Sequence, residues 1–555
     1  MPSKISDSAA RVRFARLGPW PGFAVMGVGM FMAILDIQVV ATSIPTIQKA
    51  LAVRPDQISW VQTAYLIAEV IAIPLTGLLT RLLSMRWLFV SAICAFTVAS
   101  LGCAASGGFS ALLAFRILQG FSGGTLIPAV FSAVFLLFPH SRQGLATTVA
   151  GVLAVLAPTV GPVVGGWITT TFSWHWLFLI NVAPGVVCAI GGALLLPVEA
   201  PQWSERRRLD LAALADLALA LAALEIALKQ APDRGWGSAQ VLGLFALSFV
   251  ASVFFVRHAL RVAHPVVELR TLARRDFAIS CLLSFVLGVG LFGSTYLMPV
   301  FLAFVRGHDA LRIGEIMLVT GVSQLLTAPL AVAIERRVDA RILTGFGFLL
   351  FALGLGLSVF GTPDTDFRGM FLPQVIRGVA IMFCLLPPTR LALGALEGEE
   401  VPDASGLFNL MRNLGGAIGI ALIDTVIYGR APILGRHIIR RLQAGDETTA
   451  KAVGIPLDLF RAQAGRPIDA DTAAILRPMI DHLALARAID EAWLLMAVLT
   501  ALVVLSLPFC KAPHLPRAAE EDPEGVKGAS KAEASPSRPP SPASPVLPPK
   551  GGERV

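Results

Sequence analysis

Charge is what this 555-residue chain has least of: Asp, Glu, Lys and Arg make up 15% of it, against roughly 25% in an ordinary soluble domain. Hydrophobic residues fill 55%. Apolar runs of about twenty residues recur from end to end, each long enough to cross roughly 30 Å of hydrocarbon. Backbone in hydrocarbon must bond to itself, so each run is a helix; a soluble enzyme is excluded. Also missing is a Gly-rich phosphate loop ending in Lys-Ser or Lys-Thr, which argues against ATP as the energy source. No metal, dinucleotide or Ser/His/Asp pattern is found, so no catalytic residue, metal or cofactor is expected. The six cysteines lie in or beside apolar runs without metal-ligand spacing and read as packing residues. The first apolar stretch is too long for a signal-peptide core and has no cleavage site, so it is expected to be retained.

The apolar runs number about fourteen, near 22–44, 58–80, 87–106, 111–138, 144–170, 176–197, 211–230, 239–257, 277–304, 313–334, 341–361, 370–394, 404–428 and 487–510. The net charge of +8 comes from basic residues in alternate loops (Arg81 and Arg86, Arg142, Arg206 to Arg208, Arg257 to Arg275, Arg336 to Arg341). That pattern marks loops held on the cytoplasmic side, rather than a nucleic-acid partner, and puts both termini there. Loop 395–403 is acidic and segment 430–486 is basic, against this trend. Segment 430–486 is expected to form a small external domain or surface helix. The Pro/Ser/Lys-rich tail 511–555 is expected to be a disordered cytoplasmic extension.

Ionisable groups inside apolar helices are costly, about 2.5–3.5 kcal/mol at mid-helix, so each needs a reason. Asp36 lies well within the first run. A carboxylate taken out of water holds its proton more tightly and can exchange it near neutral pH, as proton coupling requires. Glu69, mid-way along the second run, is a second candidate for protons or a cationic cargo. Arg116 stays charged and can answer a change in a neighbouring acid. Each also has a plainer reading as a static ion pair or a water-solvated side chain. Asp36 and Glu69, together with Gln119, Arg377, Arg412 and Asn413, are also candidates for the wall of a substrate cavity. Asp424 reads as structural, and Glu225 with Lys229 as a local ion pair. The string Gly161, Pro162, Gly165, Gly166 joins a helix-bending proline to close-packing glycines. Arg116-Ile-Leu-Gln-Gly120 is echoed by Gln374-Val-Ile-Arg-Gly378, a weak sign of duplicated halves.

Taken in order, these motifs resemble the major facilitator superfamily, and within it the fourteen-helix drug:proton antiporter branch. Leu35, Asp36, Val40 and Pro45 match its first-helix pattern. Gly77 to Arg86 partly matches its loop motif, with Arg81 at a position usually Asp and Ser84 at one usually Gly. Arg116, Gln119 and Gly120 match the next motif, and Gly161 to Gly166 the antiporter motif. Trp174 to Gly185, Leu224 to Trp236 and Arg412 to Gly416 also resemble this branch. The resemblance implies an all-α membrane protein with a cytoplasmic N-terminus (1–21), six-helix bundles over 22–200 and 276–510, and two extra helices within 201–275. It implies proton-driven efflux of amphipathic or cationic small molecules across a bacterial inner membrane. Asp36, Arg116 and Glu69 would serve in coupling. Gly77, Arg81, Arg86, Gly120, Gly161, Pro162, Gly165 and Gly166 would serve in gating and packing. Some relatives work with a periplasmic adaptor and an outer-membrane channel. A transporter dedicated to one metabolite, siderophore or lipid is the main alternative, and a non-transporting membrane scaffold a second.

Overall fold

The computed structural model describes residues 18–53, 58, 60–197, 210–262, 265–335, 337–394, 396, 400–457, 460 and 470–510. The N-terminal residues before Gly18, the stretch with Arg206 to Arg208, Arg336, and the tail 511–555 lie outside the described residues. The helices are α1 (Trp20–Leu51), α2 (Trp60–Ala104), α3 (Phe109–Leu137), α4 (His140–Thr171), α5 (Trp176–Leu179), α6 (Val182–Leu195), α7 (Leu211–Arg234), α8 (Ala239–Arg261), α9 (Arg275–Phe304), α10 (Ala310–Glu335), α11 (Ala340–Leu357), α12 (Phe367–Leu393), α13 (Val401–Gln443), α14 (Glu447–Val453) and α15 (Ala470–Leu502).

Among the described residues, 13 helices are long and apolar enough to cross a membrane, with α5 and α6 acting as one. At 45 residues, α2 is about 67 Å of helix, twice the hydrocarbon thickness. It breaks at Ser84 (φ 69, ψ 159) and so holds two crossings, which brings the total to fourteen. Ser84 adopts a backbone region essentially reserved for glycine, the residue expected at this position of the loop motif. Large exposed apolar side chains such as Leu242, Phe249 and Phe254 on α8 would be a liability in water and are at home against lipid.

Six crossings from α1 to α6 share cores built on Phe89, Phe96 and Phe131 and on Leu177 and Phe178. Six more, α9 to α13 and α15, share one built on Phe348, Phe351 and Trp493. The pair α7 and α8 pack together, tied by a 2.8 Å hydrogen bond from Ser248 Oγ to the Ala220 carbonyl. Helix α7 lies against α2 and α13, one from each half. The duplication seen in sequence has a packing counterpart. Gly120 sits so tightly on the Tyr65 carbonyl, and Gly378 on the Thr320 carbonyl, that a Cβ at either would strike backbone of the crossing two earlier.

Segment 430–486 is helical over most of its described residues. Its first residues prolong α13 to Gln443 and its last ones belong to α15. Ile438, Leu442, Ala450, Val453, Ile480 and Leu483 form a small core of their own between these extensions and α14. An apolar stripe repeating every three to four residues is enough to continue a helix past the membrane once a partner covers it.

Candidate functional site

Two constellations stand out. The first is sealed inside the N-terminal half. Arg116 Nη1 on α3 donates to Asp36 Oδ2 on α1 at 2.5 Å, and both side chains are fully buried. The same nitrogen reaches Gln119 Oε1 at 2.6 Å, and Nε donates to the Val61 carbonyl at 3.1 Å. Asp36 Oδ1 accepts from Gln119 Nε2 at 3.0 Å and from Asn181 Nδ2, just before α6, at 2.7 Å. Gln119 Nε2 also donates to Ser100 Oγ at 2.9 Å. Tyr65 places its ring 4.2 Å from the guanidinium, and its hydroxyl donates to the Ala33 carbonyl at 3.1 Å. Removing one member of such a pair strands the other charge in low dielectric, at about 3–5 kcal/mol.

The second is a central cavity between the halves, about 1590 Å³ of space when its opening to solvent is counted. The wall includes Glu69 from α2, Glu225 from α7, Arg377 from α12, and Arg412 and Asn413 from α13. On α1 the lining residues are Ile34, Ile37 and Gln38, one face at helical spacing. Asp36 is out of that phase. Asp36 and Gln119, expected in the cavity wall, instead lie behind it in the sealed network. Glu225, expected simply to pair with Lys229, reaches the cavity. Lys229 donates to Thr63 Oγ1 and lies 5.9 Å from the Trp60 ring. Asp424 accepts from the Tyr296 hydroxyl at 2.7 Å.

Around the cavity the halves meet on two sides. Helix α4 packs on α1 and on α10. Gly161 abuts the Gln38 side chain, and Gly314 and Gly321 of α10 abut Val163 and Thr159. Pro162, Gly165 and Gly166 are buried along the same helix, which runs unbroken past its prolines. On the other side Gly77 fits against the Asp403 carboxylate, which accepts from Arg81 Nη1. Ser405 Oγ bonds the Pro128 carbonyl at 2.9 Å. Arg86 lies 5.4 Å from the Trp87 ring. The acidic loop near 400 is therefore the counter-charge of its basic neighbours: Glu400 pairs with Arg274 at 3.0 Å, and Asp403 with Arg81.

Sequence reasoning missed Asn181, Tyr65, Ser100 and Asp403. The usable signal was chemical: an Asn within an apolar run needs a bonding partner. Their partners lie far off in sequence, 145 residues away for Asn181 and 322 for Asp403.

The family model described as Major Facilitator Superfamily matches residues 26–420. The chain is 37% identical to the colistin resistance protein EmrB of Acinetobacter baumannii over 75% of its own length and 81% of that protein's. It is 31% identical to the multidrug export protein EmrB of Escherichia coli K12, over 72% and 78% of the two chains. The crystal structure of the human organic anion transporter MFSD10 superposes with a TM-score of 0.54 at 14% identity, covering 88% of this chain and 99% of that one, a likeness of fold alone.

Proposed function

Because the chain belongs to the major facilitator superfamily, in its drug:proton antiporter branch, we propose that it exports amphipathic small molecules, cationic ones included, in exchange for protons. The observation that carries this reading is the buried Asp36–Arg116 pair beside a large cavity between two helical halves. The halves rock about the cavity, exposing it to one side at a time. A proton on Asp36 cancels the charge that holds Arg116, freeing the Gln119 and Asn181 bonds to rearrange and biasing α1 against α3. Glu69, in the cavity wall, is where cargo and proton meet. The glycines of α4 and the Gly77–Arg81 contact with Asp403 seal the pathway alternately.

The driving force suffices. One charge crossing 100 mV yields about 2.3 kcal/mol, enough to hold a neutral cargo at a gradient of roughly forty- to fifty-fold. We place the protein in the inner membrane with both termini and the Arg81 end cytoplasmic. The hairpin of α13, α14 and α15 then faces outward, where it is a surface for a periplasmic adaptor leading to an outer-membrane channel.

The test is accumulation of cationic and anionic amphipathic dyes in pump-deficient cells, for the wild type and Asp36→Asn, with and without an uncoupler. Lower accumulation that disappears with either change supports the reading. Wild-type cells that accumulate every dye as controls do, with the protein confirmed in the membrane, would sink it.

A further inference from the structure

Arg377 and Arg412 differ from Arg116 in one respect: among the described residues, no acid pairs with them. Both are buried, 3% and 7% exposed, and both line the central cavity. Neither has an ion-pair or carboxylate partner among the described residues. Nε and Nη1 of Arg377, and Nε and Nη2 of Arg412, lack any hydrogen-bond acceptor there. What they do touch is soft and uncharged. Arg377 Nη2 lies 3.2 Å from the Met298 sulfur and its guanidinium 4.8 Å from the Trp493 ring. Arg412 lies 5.4 Å from the rings of both Phe131 and Phe408. A ring face replaces only part of the hydration a guanidinium gives up, and leaves its directional N–H groups unused.

Helical register fixes where the two arginines point. Gln374, Arg377, Ile381 and Leu385 form one stripe on α12, and Asn409, Arg412, Asn413 and Gly416 one on α13, all in the cavity wall. The wall's two carboxylates, Glu69 and Glu225, enter from α2 and α7, and no ion pair joins them to either arginine. Arg377 also borders a second, smaller space, where Asp490 lies in the wall outside ion-pair range. Leu287, Leu291, Phe292, Met317 and Leu385 supply apolar wall around the charged groups.

We propose that Arg377 and Arg412 form an anion subsite in the central cavity, selecting amphipaths that carry a carboxylate, sulfonate or phosphate head on an apolar body. A guanidinium fork meets such a head with paired, charge-assisted bonds, which are the bonds these arginines lack. The apolar wall offers a surface for the body behind it. This rests on the export reading and narrows its cargo: the acids of α2 and α7 remain available for protons or for a cationic group, while the C-terminal half takes the anion.

The experiment uses full-length protein in phosphatidylcholine vesicles and three matched probes: an anthracene carboxylate, its primary amide and the corresponding aminomethyl compound. The carboxylate is expected to half-saturate transport at a concentration about tenfold below the amide. Arg377→Gln and Arg412→Gln should each bring that ratio toward one, and Arg377→Lys and Arg412→Lys should keep only part of it, since lysine retains the charge but not the paired fork. Competition by added phosphatidylglycerol, lost in the same Gln variants, would assign the head to a lipid. No such competition assigns it to a soluble cargo. Equal handling of acid and amide by the wild type overturns the subsite while leaving export standing, and needs no variant to fold. Gln variants that weaken all three probes equally also overturn it, as does an Arg377→Lys or Arg412→Lys variant that matches the wild type in full. Transport of none of the probes would instead count against the export reading itself.

Discussion

The contact between Arg81 and Asp403 joins the two halves at one end of the cavity, and its removal should open that end. Asp403 is 8% exposed and Arg81 27%. Oδ1 of Asp403 has no hydrogen-bond partner among the described residues, so the arginine carries most of its compensation. Stripping the partner from a fully buried charge costs about 3–5 kcal/mol, and an exposed pair is worth at most about 1. For a pair of this burial we take about 2 kcal/mol, or a thirty-fold shift in the closed population. The assay is labelling of an Ala154→Cys reporter in the cavity wall by a membrane-impermeant thiol reagent applied from the Arg81 side. Arg81→Gln and Asp403→Asn should each raise the labelling rate about thirty-fold. Arg81→Asp combined with Asp403→Arg should restore most of the closure. The restoration is incomplete because Asp403 also sits in the first turn of α13, where a negative charge suits the helix dipole. Labelling that ignores the single changes, or a double exchange as open as both singles together, would refute the latch.

Three further outcomes follow from local geometry. Gly120→Ala puts a methyl group onto the Tyr65 carbonyl, forcing α3 from α2 at about 1–3 kcal/mol, read as a lower melting midpoint in detergent. Ser84→Gly relieves a backbone strain of roughly 1–3 kcal/mol, less the extra freedom glycine gains on unfolding, so the midpoint should rise. The carboxyl of Asp210, which caps α7, is held below its usual range, first by the Ala213 amide that donates to it and then by His258. A depressed carboxyl stabilises above its unfolded pKa, about 3.9, and that contribution is lost as pH falls through and below it. Hydrogen-exchange protection of the first turn of α7 should therefore drop at acid pH in the wild type. It should stay level in Asp210→Asn, which caps without titrating.

Much of the site could be read from helical phase. Gln62, Leu66, Glu69 and Val70 recur at three- and four-residue steps, and so do Asn409, Arg412, Asn413, Gly416 and Ile420; all of them line the cavity. The same arithmetic applied to α1 would have excluded Asp36 from the wall, since Ile34, Ile37 and Gln38 define the facing side. Crossings were legible because length and apolarity alone determine them. The break at Ser84 falls where Arg81 and Arg86 already separated the runs 58–80 and 87–106, although its glycine-like backbone was not legible. Partner choice was not legible. Asp36 meets Arg116 across 80 residues and Asn181 across 145, and nothing local in the chain encodes which distant polar group completes a buried network. The length of α13 escaped for a similar reason, because the residues covering Ile438 and Leu442 come from α14 and α15.

The most direct test of the account is transport in vesicles that hold the purified protein and no ATP, with a pH gradient imposed across the membrane. Antiport predicts that an amphipathic probe moves against its own gradient while protons move the opposite way, that collapsing the pH gradient stops both, and that Asp36→Asn removes the uphill movement from a correctly folded protein. Uphill transport that persists without a pH gradient, or an Asp36→Asn protein that concentrates the probe as well as the wild type, would contradict it.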